Sequence, residues 1–226
     1  MSKALTLSVH LPDSSAMETP DFLIDGPRIA PRTVVLAHGA GSGMDSDFLA
    51  AFAAGLAAAG CRVVRFEFPY MARRRREGVK AGPDALPVLL ETWRTVVAAL
   101  GGGTRLVLGG KSMGGRIASL VADDVGAAGL VCLGYPFHPA GRPEQTRVEH
   151  LAHLRTPTLI VQGTRDTLGT REDVAGYRLS PSIRLHWVED GDHSLSPRVA
   201  SGRTKDQAWA EGIAAVVGFV RDVGKD

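Results

Sequence analysis

The sequence predicts an α/β protein, a single domain over residues 1–226 built on a mostly parallel central sheet with helices on both faces. Three observations carry this expectation. Short β-branched runs alternate with helical patterns along most of the chain, as in successive strand–helix units. A length of 226 residues suits one domain with a sizeable core. A glycine-flanked serine segment lies directly between one such strand and the helix after it.

The elements follow in order. Residues 1–10 alternate apolar and polar side chains, a strand pattern and not the continuous apolar run of a signal peptide. The first strand is placed at 5–11, at a sheet edge. The Pro/Asp/Ser-rich stretch 12–31 holds a second, short strand around 22–24. Thr33–Ala37 is a buried strand. Residues 46–59 form a helix with Phe48, Phe52, Leu56 and Ala59 on one face and Gly60 as its stop. A strand spans 62–68. The helix over 84–100 tolerates Pro87 in its first turn and carries Leu86, Leu90, Trp93, Val97 and Leu100 as its stripe. A strand at 105–108 leads to a helix over 113–123. Strands at 130–133, 158–161 and Ile183–Val188 follow. The last helix, 206–221, turns Trp209, Ile213, Val217 and Val220 inward. The gap from 134 to 157 has room for one small helix and none for a lid.

Composition narrows the function classes. Hydrophobic residues make up 44% and charged residues 22%, values of a soluble globular chain and not of a disordered or collagen-like one. With 26 basic and 24 acidic residues the net charge is +2, which predicts neither a nucleic-acid partner nor a membrane surface. No apolar run approaches the roughly 18 residues of a membrane span. Two cysteines, Cys61 and Cys132, are too few for a disulfide scaffold or a zinc site. The expected compartment is the cytoplasm, with both thiols reduced.

Gly110-Lys111-Ser112-Met113-Gly114 fits G-x-S-x-G, with the strand before it and the helix after it that a nucleophile elbow requires. The serine of such a turn sits in strained backbone, and the flanking glycines let neighbouring chain approach without a Cβ clash. The following helix turns its positive end toward the site. A serine hydroxyl needs a base, here expected in the chain order serine, acid, histidine. His193 lies in a loop after the final strand and is the candidate base. His186 falls inside that strand, and His153 comes too early. Asp166 follows a buried strand and a glycine turn, 54 residues after Ser112 and 27 before His193, and is the candidate acid. Asp173 competes with it, while Asp190 and Asp192 read as turn residues. An oxyanion hole needs two backbone N–H donors. One is assigned to Met113. The other belongs to the loop His38-Gly-Ala-Gly-Ser-Gly43 and is placed at Ala40, with Gly39 and Gly41 as alternatives. That loop lacks the phosphate-cradle pattern. His38 is expected to brace it by hydrogen bonding and not to act as a second base.

These segments together resemble the α/β-hydrolase superfamily. Within it, the chain is similar to the small lid-less predicted serine hydrolases with a Gly-Gly-Lys-Ser-Met-Gly-Gly-Arg elbow, here residues 109–116. Residues 37–41, 66–71 and 191–193 accompany that elbow, and the likeness runs from Arg32 to the C-terminus. Dienelactone-hydrolase-like proteins are broader relatives that typically carry cysteine where this chain has Ser112. The resemblance implies a Ser112–His193–Asp166 triad acting on an ester or thioester of a compact acyl group, with no cofactor or metal. It also implies two strands between those of Cys61 and Cys132, too far for a disulfide.

Tyr70, Met71, Tyr135, Phe137 and Leu195, together with Met113 and Pro136, follow strand ends and are candidates for lining an acyl pocket. Glu67, near a strand's C-terminal end, reads equally as a partner of Arg116 or Lys111 that supports the elbow and as a strand-end carboxylate facing solvent. The arginine run 73–76 reads as a solvated loop, and a nucleic-acid-binding module would rest on it alone. His138 belongs to the loop above the site. The expected partner is a small acyl substrate; the alternative is a hydrolase-fold binding protein without turnover.

Overall fold

The structure is a computed structural model that describes residues 17–78 and 80–223. The strand expected at 5–11 lies outside the described residues. Among the described residues, seven strands form one sheet: β1 (Phe22–Asp25), β2 (Thr33–Ala37), β3 (Arg62–Phe66), β4 (Leu106–Lys111), β5 (Gly129–Leu133), β6 (Thr158–Gly163) and β7 (Ile183–Val188), in the order β1-β3-β2-β4-β5-β6-β7. Only β1 runs antiparallel to its neighbour.

The side-chain period of two divides β2 between two cores. Val35 and Ala37 join one cluster with Trp93 and Ile117, while Val34 and Leu36 join the other with Phe52 and Val217. The first core lies under α3 (Leu86–Ala99) and α4 (Met113–Val121), and the second under α1 (Asp47–Ala58) and α6 (Lys205–Asp222). The helices therefore cover both sheet faces, and two strands, β2 and β4, lie between the strand after Cys61 and the strand that carries Cys132, both thiols being free and buried. Gly60 takes a left-handed φ of 89° after α1, with its N–H on Ala57 O and that of Cys61 on Leu56 O, a Schellman stop.

Several boundaries differ from expectation. The stripe of α3 is rotated: Leu89, Thr92, Trp93, Val96 and Val97 are buried, whereas Leu86 is exposed. The strand at 62–68 stops at Phe66, because Pro69 opens a helix, α2 (Pro69–Glu77). The arginine run is therefore helical and not a loop. Three of its four guanidinium groups are paired, Arg73 with Asp84 at 2.5 Å, Arg75 with Glu67 at 2.7 Å and Arg76 with Glu77 at 2.8 Å. β4 begins after a 3₁₀ turn and continues through Lys111. A short helix, α5 (Arg171–Ala175), follows β6 behind a Thr170/Asp173 capping box. Between β5 and β6 the chain makes one 3₁₀ turn, Glu149–Ala152, and no lid.

Candidate active site

The ends of β4, β6 and β7 converge at the carboxyl edge of the sheet, where doubly wound folds place their sites. Ser112 joins β4 to α4 with φ 52° and ψ −115°, a conformation disfavoured for any residue with a Cβ. The turn closes only with glycine beside it. A Cβ on Gly110 would lie 2.3 Å from Ala37 O, and one on Gly114 would lie 2.4 Å from the same oxygen. The Ser112 N–H donates to Leu133 O at 3.0 Å, which fixes the turn to β5.

His193 lies in the loop after β7. Its Nε2 is 2.9 Å from Ser112 Oγ, and its Nδ1 is 2.8 Å from Asp166 Oδ2. An ionised carboxylate only accepts, so the proton belongs on Nδ1, leaving Nε2 to accept from the serine hydroxyl. Asp166 is fully buried. Its Oδ1 accepts from Leu168 N–H at 2.9 Å, and its Oδ2 accepts a second bond from Gln162 Nε2 at 2.8 Å. Gln162 had no signal of its own in the sequence. It also accepts from Tyr135 N–H at 2.7 Å and so ties β6 to the end of β5. Asp173 caps α5, Asp192 accepts from Ser194 and Ser196 N–H in a turn, and Asp190 pairs with Arg198.

Lys111 donates from Nζ to His193 O at 2.5 Å. Burial pushes its ammonium down to about 8, against the opposing pull of the Asp166 and Asp192 charges. Gly134, at φ 66°, admits this approach, since a Cβ there would meet His193 O at 2.7 Å.

The Gly39–Ala40 loop lies against the elbow: a Cβ on Gly39 would stand 3.7 Å from Ser112 Cβ. Tyr70 Oη donates to Ala40 O at 2.9 Å, and burial pushes its phenol up to about 12, so it stays a donor. His38 is buried. Its Nδ1 is 2.7 Å from Gly39 O in the loop and its Nε2 accepts from Phe68 N–H at 3.0 Å after β3, so both ring nitrogens are occupied; burial lowers its pKa. Met113 opens α4, so its N–H has no partner within the helix.

A cavity of about 400 Å³ opens beside Ser112, bounded by Ala40, Met113 and Pro136 and by the apolar side chains of Leu86, Leu89 and Ile117. The expected lining residues Tyr70, Met71, Tyr135, Phe137 and Leu195 are not among its walls. They are buried at 0–6% exposure, because their positions just past strand ends turn them into the two cores. Arg116 and Arg147 stand in the wall instead. Glu67 pairs with neither Arg116 nor Lys111. It is held by Arg75 and by the Met44 N–H at 3.2 Å, since it follows β3, two strand positions from β4 and its elbow. His138 lies buried near Asp173 at 3.4 Å, and His186 pairs with Glu211.

Solved structures share this architecture. The chain has a TM-score of 0.63 and 20% identity to an alpha-beta serine hydrolase homologue from Coxiella burnetii, over 90% of this chain and 91% of that one. It has a TM-score of 0.64 and 23% identity to a serine hydrolase without a lid from Xanthomonas campestris, over 89% and 88%. Est1E from Butyrivibrio proteoclasticus gives 0.61 and 15%, over 87% and 94%. At these identities the likeness is one of fold. No described helix is long and apolar enough to cross a membrane. The family model described as an alpha/beta hydrolase domain matches residues 30–221, nearly all of the sheet and both helical layers, and the chain belongs to that family.

Proposed function

We propose that the protein is a serine hydrolase that cleaves an ester or thioester of a compact acyl group through an acyl-enzyme. The observation that carries this is the unbroken chain Ser112 Oγ, His193, Asp166, with links of 2.9 and 2.8 Å. In the mechanism, Ser112 Oγ attacks the substrate carbonyl as its proton passes to His193 Nε2. Asp166, held by Gln162 and Leu168 N–H, stabilises the imidazolium that forms. The N–H groups of Met113 and Ala40 receive the developing oxyanion, reinforced by the N-terminus of α4. His193 then returns the proton to the departing alcohol or thiol. Water, deprotonated by His193, attacks the acyl-serine, and the acid leaves with the serine restored.

The cavity supports the compact acyl group. About 400 Å³ beside Ser112, without a lid to extend it, suits a short chain or a small ring better than a long lipid. A p-nitrophenyl ester series from acetate to laurate tests this. The expected result is a kcat/KM that peaks at about two to six carbons and vanishes in Ser112→Ala, since loss of a triad nucleophile costs on the order of 10⁴-fold or more. Full activity in Ser112→Ala would overturn the reading.

A further inference from the structure

Two arginines in the cavity wall serve no structural pairing. Arg116 lies on α4, one turn beyond Ser112, and Arg147 lies in the segment between β5 and β6. Arg65, Arg73, Arg75, Arg155 and Arg198 all pair with carboxylates. Among the described residues, neither Arg116 nor Arg147 does. The Arg116 Nε is buried and has no hydrogen-bond partner. A buried donor left unpaired is costly, and native structures retain few of them without a reason.

Both side chains line the same cavity beside Ser112. Burial, and after it the positive charge of Arg116, lowers the Arg147 guanidinium. Main-chain hydrogen bonds anchor the segment that carries each arginine. Arg116 N–H donates to Ser112 O at 3.0 Å, Arg147 N–H donates to Phe137 O at 2.8 Å, and Arg147 O accepts from Tyr135 Oη at 2.9 Å. Two like charges thus border the cavity beside Ser112, and Asp84, the only other charged wall residue among those described, is already engaged by Arg73 and by the Tyr70 N–H.

We propose that Arg116 and Arg147 form a carboxylate-binding subsite, and that the substrate is an ester or thioester whose acyl part carries a second, free carboxylate. This rests on the acyl-transfer reading above. Two guanidinium forks match a carboxylate with charge-assisted hydrogen bonds. Four helical residues rise about 6 Å, which sets the anion several bonds from the carbonyl at Ser112, the span of a succinyl or glutaryl half-ester. A monoanion meets less repulsion from Asp84 than a phosphate dianion would.

Two measurements test the subsite. In the first, folded Ser112→Ala protein is titrated with sodium succinate and, separately, with inorganic phosphate. Succinate is expected to bind saturably, and Arg116→Gln or Arg147→Gln in that background to weaken it at least about tenfold, the loss of one charge-assisted contact. Arg116→Lys, which keeps the charge, recovers part of it. In the second, wild-type kcat/KM for a p-nitrophenyl hemisuccinate is expected to exceed that for the butyrate at least about tenfold, with most of the preference in KM, and the ratio to fall toward one in either glutamine variant. Absence of succinate binding, binding of phosphate alone, binding indifferent to both arginines, or equal turnover of the two esters overturns the subsite. If neither ester is turned over while succinate binding persists and depends on the arginines, the acyl-transfer reading falls and the carboxylate site stands.

Discussion

Gln162 Nε2 and His193 Nδ1 both donate to one oxygen, Asp166 Oδ2, each at 2.8 Å. The carboxamide therefore fixes the carboxylate that fixes the imidazole, from a strand residue rather than a loop. Its remaining groups are used as well, on Tyr135 N–H and on the carbonyls of Tyr135 and Gly169. Gln162→Leu leaves several buried polar groups short of a partner and is expected to destabilise the fold by about 3 kcal/mol. Because Gln162 is a positioning residue, kcat is expected to drop about tenfold with little change in KM, beyond what the fraction unfolded explains. Denaturation and steady-state kinetics on the same preparation check this. A stability loss with kcat intact would reduce Gln162 to a structural role.

The elbow gives a prediction of backbone tolerance. A Cβ on Gly114 would meet Ala37 O at 2.4 Å and His38 O at 2.7 Å, both main-chain atoms that cannot step aside. Gly114→Ala is expected to cost about 3 kcal/mol or more and to displace Ser112. Gly41, in the loop opposite, has nothing within 4 Å of the same added atom. Gly41→Ala is expected to shift stability by less than about 0.5 kcal/mol. Thermal unfolding of the two variants is the check, and equal losses would contradict the packing argument.

Much of this arrangement was legible in the sequence because its constraints are local. Gly110, Ser112 and Gly114 between a strand and a helix describe one turn, and Gly60 marks a helix end through its own backbone. The order Ser112, Asp166, His193 names three loops, which the fold brings to hydrogen-bond distance. What escaped depends on distant partners. Helix α2 shows no apolar stripe over 73–76, and its arginines make sense only beside Glu67, Asp45 and Asp84. Gln162 looks like any strand polar residue until Asp166 and Tyr135 surround it. Tyr135 and Phe137 follow a strand end, yet turn into the core, and the cavity wall goes to Arg116 and Arg147, which no periodicity marks.

Lys111 carries a pH signature. Burial brings it down to about 8 from an ordinary 10.5, so between those pH values the unfolded chain binds more of this proton than the folded one. Stability contributed through this group therefore rises with pH across that window, and below about 8 the cost of its buried charge is fully present. Relative to Lys111→Met, the wild type is expected to gain up to about 2 kcal/mol between pH 7 and 9.5. Urea unfolding of both proteins measures it, and a gap independent of pH would show that the ammonium is not strained by burial.

The central claim is that His193 and Asp166 activate Ser112. Labelling with a fluorophosphonate tests it most directly, followed by mass mapping of the modified peptide. The account predicts rapid labelling of the wild type at Ser112, none in Ser112→Ala, and labelling slowed on the order of 10³-fold or more in His193→Ala. A folded wild type that resists the probe, or one that labels equally well without His193, would contradict it.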